Sequence, residues 1–436
     1  MILALLAPYA AAFCGTYVGP VGSALENQAA QVLIARDGER TVLTLANDYT
    51  GSEANFGLII PVPEVLLDDD VSLPDPELIA AFDLYAAPRI VSYTCDDLHS
   101  RYDDADVDET SSGGSVADAD GVVVESSFSA GEYDIVVLSA TGAEGLVSWL
   151  DANGFVVDSS AEAVIQDYID QDQYFLAARI NLDAIPAGQS YLSPLQLRYE
   201  SSSFGLPIRI GTTVSPGEQE VVIHFLTPSS DGKVGISNYP EGAIEDECMM
   251  PADVTDYNLF YEGQLAETFA DAVWFTEYAW DLGSCDPCSA EAPEEDLLIE
   301  AGASWEDPFY DSYITRIKLR YTPEDATQDL VFYTSGLRDS SQVRYIEYVE
   351  DLESDFEVCG LGWVENPGEC DNVDYEDPED GGDGGDDDVS SDWPFAQGQP
   401  NAGKSDDEAG LCATSSPGPG FGLMLLSAAA LRRRRK

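Results

Sequence analysis

Histidine is nearly missing from this chain: His99 and His224 are the only two among 436 residues. Clusters of imidazole ligands, and chemistry that needs a histidine pair, are thereby close to excluded. Cations are scarce as well. Lys and Arg total 19, only four of them Lys, against 82 Asp and Glu, for a formal net charge of −63 at pH 7. Binding a phosphate backbone needs clustered Lys and Arg, so no nucleic acid is expected as a partner. An anionic membrane surface is disfavoured for the same reason everywhere except at the C-terminus. The chain also lacks a G-x-S-x-G elbow and an H-E-x-x-H sequence, the local signatures of serine hydrolases and zinc proteases.

What is present begins with enough apolar material, 44% of residues, to bury two or three domains' worth of core. The first twelve residues, MILALLAPYAAA, are uncharged and apolar and end in three alanines, which suits signal-peptidase cleavage. Residues 1–12 are read as a signal peptide, truncated at its start because the usual Lys or Arg is missing. At the other end, Cys412 to Leu431 run for 20 residues without a charge, and Arg432, Arg433, Arg434, Arg435 and Lys436 follow. Twenty residues suffice for a transmembrane helix, with the basic cluster left on the cytoplasmic side. Pro417-Gly418-Pro419-Gly420 interrupts this run, leaving Phe421 to Leu431 as an apolar core that is short for a permanent span.

A single Cys, a short apolar run and a terminal Arg cluster closely resemble the myxobacterial C-terminal sorting tail. In that family the tail is a temporary signal removed near the Cys during export. The resemblance implies Cys412 as the processing or lipid-anchoring position and Arg432–Arg435 as the basic end of the signal. An ordinary membrane anchor is the alternative. Both place the body outside the cytoplasm, at the cell surface or outer membrane, with the export and sorting machinery and envelope components as partners.

Between body and tail, residues 361–411 read as an acidic, disordered stalk. Its densest part, 371–392, holds eleven acids in 22 positions and almost nothing apolar, too little to offset chain entropy. From Gly398 to Ser405 the sequence GQPNAGKS matches the phosphate-loop pattern letter by letter. That motif works between a buried strand and a helix N-terminus. Here acids flank it on both sides, so no nucleotide is expected.

The body, residues 13–360, is strand-rich. AAQVLIAR (29–36) and RTVLTLAND (40–48) flank Asp37-Gly38-Glu39 as a hairpin, and NFGLIIPVP (55–63) should end at its prolines. Helical spacing appears at 76–87, 142–152, 160–171 and 256–273. Further strands are expected at 121–128, 133–140, 174–182, across LPIRIGTTV, and at 219–227, 312–322, 329–334 and 342–349. Arg316, Lys318 and Arg320 alternate with Ile317, Leu319 and Tyr321, the pattern of a strand half buried on one face. Strands outnumber helices without regular alternation, so the fold class is α+β, with mixed or antiparallel sheets and a few helices. A division into two lobes near residue 240 is allowed by the length.

FCGTYVG, NQAAQVLIARDGERTVLTLANDY, FGLIIPVP, ELIAAFDLYAAPRIV, WLDANGF, YFLAARI, SPLQLRYESSSFGLPIRIG and ISNYP follow one another in an order similar to that of an exported bacterial family. The family is catalogued as domain of unknown function 2330. The resemblance covers most of residues 13–350 and implies placement outside the cytoplasm, with no activity, cofactor or catalytic residue attached.

Eight cysteines occur. With Cys412 in the tail and Cys14 at the N-terminus set aside, Cys95, Cys248, Cys285, Cys288, Cys359 and Cys370 remain as disulfide candidates, the default in an exported chain. Cys359 and Cys370 enclose ten residues and are the preferred local bridge. Cys285-Asp-Pro-Cys288 has the C-x-P-C pattern of thiol oxidoreductases. Acids follow it, and neighbouring carboxylates raise a thiol pKa, so a structural clip is the preferred reading over redox catalysis. No second C-x-x-C or His pair completes a zinc site.

Asp104, Asp106, Asp108, Asp118 and Asp120 present alternating carboxylates in an acidic loop and offer at most weak calcium or magnesium binding. The EF-hand register fails, because Glu109 stands where Gly is required and Ser115 where the bidentate acid belongs. No other cofactor is expected. His224, in VVIHFL, reads as a strand-core histidine. Together these features point to a non-enzymatic surface protein with a structural or interaction role. The alternatives are a metal-assisted extracellular hydrolase and a thiol–disulfide oxidoreductase using Cys285 and Cys288. The acid surplus itself suits solubility in salty surroundings, where salt screens self-repulsion.

Overall fold

The structure, a computed structural model, describes residues 30–47, 55–94, 122–155, 161–181, 192–213, 217–268, 272–285 and 290–368. It also describes 10–11, 16–18 and the isolated positions 157, 184–185 and 288. Cys14, Cys95, His99, the acids from Asp104 to Asp120, Cys370, the segment from Gly398 to Ser405, Cys412 and Arg432–Arg435 lie outside the described residues.

After two short strands, β1 (Ala10–Ala11) and β2 (Thr16–Val18), the chain forms a hairpin of β3 (Ala30–Asp37) and β4 (Arg40–Asn47). Gly38 turns it with a φ of +58°, a conformation that costs glycine little. β5 (Asn55–Val62) stops before Pro63, and β6 (Val71–Ser72) leads into α1 (Glu77–Ala86), bounded by Pro76 and Pro88. β7 (Arg89–Val91), β8 (Val123–Ala130) and β9 (Tyr133–Ser139) follow. α2 (Ala143–Ala152) and α3 (Ala161–Ile169) precede β10 (Tyr174–Asn181), β11 (Leu195–Glu200) and β12 (Gly205–Leu206). The last third begins with β13 (Gln219–Pro228), β14 (Val234–Ile236) and β15 (Cys248–Met249). It continues with α4 (Tyr257–Thr268), β16 (Val273–Asp281), α5 (Glu295–Ala301) and β17 (Ser312–Tyr321). β18 (Leu330–Thr334), β19 (Ser341–Gln342) and β20 (Arg344–Ile346) complete it.

Two sheets stack face to face. The larger runs β19-β16-β17-β13-β3-β4-β11-β6, with β1 beside β13; the smaller runs β2-β5-β10-β9-β8. β13 lies parallel to β3 and antiparallel to β17, so the larger sheet is mixed. Period-two alternation sends Val32, Ile34, Leu43, Ile223, Phe225, Ile317 and Leu319 inward from the larger sheet. They meet Leu58, Ile60, Val137 and Leu176 from the smaller one. Each such side chain contributes about 1.5–3 kcal/mol on burial, which makes this inter-sheet layer the main source of stability.

Helices close both outer faces. Leu146 and Leu150 of α2 and Ile165 of α3 pack on Ile59, Phe175 and Ala177 of the smaller sheet. Phe82 of α1 and Leu298 of α5 pack on Leu33, Leu226 and Ile314 of the larger. Gly302 ends α5 at φ +117°, and a Cβ there would stand 2.6 Å from the Val42 Cβ. The helix can approach the hairpin this closely only with glycine at that point. The order helix–sheet–sheet–helix is the α+β architecture expected from the strand pattern. Residue 240 lies within continuous packing, since β13 before it and β17 after it pair along ten residues.

Several elements differ from the sequence pattern. The helix expected over 256–273 ends at Thr268, and the aromatic stretch after it is β16, inside the larger sheet. Aromatic residues on a pleated surface packed by neighbours favour the strand there. LPIRIGTTV supplies strand only at Leu206, the end of β12, and then a single 3-10 turn, Gly211–Thr213. The strand expected over 342–349 contracts to β20. β17, expected to be half exposed, is buried at every residue. Among the described residues no helix is long and apolar enough to cross a membrane.

The preferred bridge between Cys359 and Cys370 gives way to a longer one, Cys248–Cys359, with Cα atoms 5.2 Å apart at a sequence separation of 111. Proximity in space decides this. β15 carries Cys248, and Met249 next to it pairs with Val358 in an isolated parallel bridge that sets the two cysteines side by side. Closing so long a loop restricts the unfolded chain strongly. Replacing Cys248 or Cys359 by Ser is expected to lower stability by about 2–4 kcal/mol in denaturant unfolding. The double variant is expected to be no worse than either single one.

Candidate functional site

The outer face of β17 carries Ile314, Arg316, Lys318 and Arg320 in alternation, and below them lies a layer of charge roofed by α1 and α4. Arg316 is 6%, Lys318 8% and Arg320 3% exposed. Strand register brings their partners. On β13, His224 stands opposite Arg316 and Glu220 opposite Arg320. On β16 the pairing shifts between Thr276 and Tyr278, so Glu277 is the extra residue of a bulge beside Arg316. Val273 and Phe275 stand opposite Arg320 and Lys318, so Glu277 follows them on the outer face, and the bulge lets Tyr278 stand opposite Arg316 as well.

Arg316 reaches Asp83 of α1 through Nη2 at 2.7 Å and Glu277 through Nη1 at 3.0 Å. Tyr261 of α4 donates its hydroxyl to the Glu277 carboxylate. Lys318 meets Glu220 at 3.0 Å and lies 5.5 Å above the Tyr261 ring. Arg320 bridges Glu220 and, at 2.7 Å, Glu262 of α4. Burial and the Glu277 charge hold the Tyr257 and Tyr261 phenols above their ordinary range, so both remain protonated.

His224 is fully buried, and its Nε2 lies 3.6 Å from the Asp83 carboxylate. Burial and the adjacent Arg316 charge push the imidazole down to about 3, against a smaller upward pull from Asp83. The ring is therefore neutral at pH 7, and its approach to Asp83 is a dipole contact without an ion pair. An imidazole beside a carboxylate is the pairing a general base uses. Here the third group facing it is a guanidinium, which can neither accept a proton nor attack. The histidine expected in a strand core is buried in a strand, in the charged layer on the sheet's outer face and not between the sheets.

A half-buried carboxylate, Asp329, is occupied structurally. Its Oδ1 accepts from the backbone N–H of Ile208 at 2.9 Å, that of Arg209 at 3.0 Å, and the Tyr168 hydroxyl at 2.8 Å. This ties α3 to the segment before β13. Among the described residues no three His, Cys, Asp or Glu side chains are grouped to hold a metal ion.

Of the cysteine candidates, Cys248–Cys359 and Cys285–Cys288 are each disulfide-bonded. Asp83, Glu277, Tyr261 and Glu262 are absent from the sequence-based candidates, because they come from three elements, α1, β16 and α4, and form no local motif. The available signal was three cations at alternate positions in a chain with only 19.

Replacing Arg316 by Met leaves Glu277, 1% exposed, without its cation. A loss of about 3–5 kcal/mol is expected in denaturant unfolding, with partial recovery when Asp83→Asn is added. Replacing His224 by Gln tests the neutral imidazole. Between pH 6.5 and about 3 the unfolded wild-type chain takes up a proton that the folded one refuses, so stability falls with pH. Over that range the wild type is expected to lose up to about 1.4 kcal/mol more per pH unit than the variant. Parallel stability curves for the two proteins would refute the assignment.

No curated protein and no solved structure matches this chain. A family model described as an uncharacterized protein conserved in bacteria, domain of unknown function 2330, matches residues 8–333. The match includes the whole charged layer and the Cys285–Cys288 pair and ends before Cys359 and the tail. The chain belongs to this bacterial family of uncharacterized conserved proteins.

Proposed function

We propose that this protein is exported and held at the cell surface or outer membrane, where it has a structural or interaction role and catalyses no reaction. The single observation that carries the non-catalytic part is the sealing of the acid–base groups in the charged layer. His224 and Glu277 are buried beneath helices and face a guanidinium, so neither can meet a substrate from solvent. A hydrolase would need such groups to open onto a cleft.

The placement rests on chemistry at two points. Disulfides persist in oxidising compartments, and Cys248–Cys359 fastens the last part of the body to the middle of the chain. Beyond the body stand the acid-rich segment and the Cys412, apolar and Arg432–Arg435 sequence, which resembles a sorting tail. On this reading the tail engages the export and sorting machinery and anchors the chain, and the body meets other envelope components. Calcium would enter only weakly, at the Asp104–Asp120 acids.

Expression of the full chain and of a form lacking residues 412–436 in a bacterium with this sorting route tests the placement. The full chain is expected on the cell surface by protease shaving, and the shortened one in the medium. A shortened chain that stays on cells, or a full chain that accumulates in the cytoplasm, overturns it.

A further inference from the structure

We propose that the Cys285–Cys288 disulfide is a thiol–disulfide exchange site, at which a low-molecular-weight thiol attacks Cys288 and Tyr85 holds the departing Cys285 sulfur. The two disulfides of the described body differ in access. Cys248 and Cys359 are both buried, in the apolar cluster under α4. Cys288 is exposed, whereas Cys285 is half-buried against the apolar cluster beneath α1 and α5. Access is one of the terms that decide which sulfur a thiolate attacks and how fast. It selects this disulfide over the other, and Cys288 over its partner.

The leaving sulfur has a receiver. The Tyr85 hydroxyl, on α1, lies 3.6 Å from the Cys285 Sγ and accepts the Gly283 backbone N–H at 3.1 Å. A disulfide sulfur carries no proton, so in this contact the hydroxyl donates. Burial raises the Tyr85 phenol above its ordinary range and keeps that proton in place. Tyr85 is itself held: Arg89 donates to its carbonyl at 2.8 Å, and its ring meets Tyr278 edge-on at 5.6 Å. A fixed donor aimed at a sulfur stabilises the thiolate that forms there. It supplies what the acid-rich sequence around the pair lacks, from 200 residues away in the chain.

In the first step the external thiolate RS⁻ forms a bond to the Cys288 sulfur as the Cys288–Cys285 bond breaks. The electron pair leaves on Cys285, which is then protonated from solvent. In the second step another RS⁻ attacks the R sulfur of the mixed disulfide, and Cys288 leaves as thiolate. Two thiols RSH become RSSR as the protein disulfide gains two electrons and two protons, a stoichiometric exchange that ends at the dithiol and is not a catalytic cycle. Tyr85 acts as a positioning residue throughout. The chemistry does not depend on where the protein resides.

The test uses the full, natively folded chain and reduced glutathione, with acid quenching, maleimide alkylation and peptide mass spectrometry. The expected product is glutathione on Cys288 with maleimide on Cys285. It is expected at glutathione concentrations at least about tenfold below those that open Cys248–Cys359. Glutathione on Cys285, simultaneous opening of both disulfides, or opening only after denaturation would each overturn the proposal. For Tyr85, the alkylation rate of Cys285 against pH is compared in Cys288→Ser and in Cys288→Ser with Tyr85→Phe. The midpoint is expected to rise by about one pH unit when the hydroxyl is lost, as removal of one donor to a charged sulfur requires. An unchanged midpoint in a folded double variant removes Tyr85 from the site.

Discussion

Three cations on the outer face of β17 set a condition that the surrounding elements must meet. Taking a guanidinium or ammonium out of water costs several kcal/mol even after relaxation, and only well-placed carboxylates offset it. Arg316, Lys318 and Arg320 are buried because Glu220 of β13, Glu277 of β16, Asp83 of α1 and Glu262 of α4 converge on them. Each acid comes from a different element. The register of β13 and β16 on β17, the bulge at Glu277 and the seating of two helices therefore answer to one electrostatic requirement. A slip of either strand by one residue would carry its acid to the opposite face and strand the cations.

This layer and the apolar layer divide the work of folding. Contact between the two sheets supplies most of the favourable free energy, and apolar packing of that kind tolerates many alternative arrangements. Buried ion pairs add little net stability against apolar replacements, but breaking one is costly. Their effect is to penalise misregistered sheets and wrongly seated helices more than to deepen the native state. α1 shows both layers at once: Phe82 packs on the sheet while Asp83, the next residue, reaches Arg316.

The β3–β4 hairpin, α1 with its flanking prolines, α2 and α3 were legible because their signals are local: a turn glycine, helical spacing, fixed breakers. β16 was not legible, because its strand character comes from β17 and β19 on either side of it, pairings no local window contains. β17 was legible as a strand but not as a buried one. Alternation of Arg and Lys with apolar residues looks the same whether water or carboxylates cover the polar side, and here the carboxylates come from chain distances of up to 233 residues. The Cys248–Cys359 bridge was missed for the same reason, since proximity along the chain favoured Cys370 while strand pairing brought Cys248. The Cys285–Cys288 pair was visible as a motif, yet its phenolic neighbour lies on another element.

The interior also clarifies the charge. Among the described residues five cations are buried, Arg36, Arg89, Arg316, Lys318 and Arg320, together with four acids, Glu132, Glu277, Glu295 and Glu353. The inside is close to neutral, so almost none of the net −63 is spent within the fold. It resides on the surface and in the segments beyond the described body. Surface charge of one sign opposes compaction by self-repulsion, and salt screens that repulsion over about 10 Å at 0.1 M. The ion layer, whose cations are buried, is screened much less. Surface acidity can therefore change without disturbing the pairs that fix the architecture. The acidity and the fold, which rests on a few protected cations, are separate properties of one sequence.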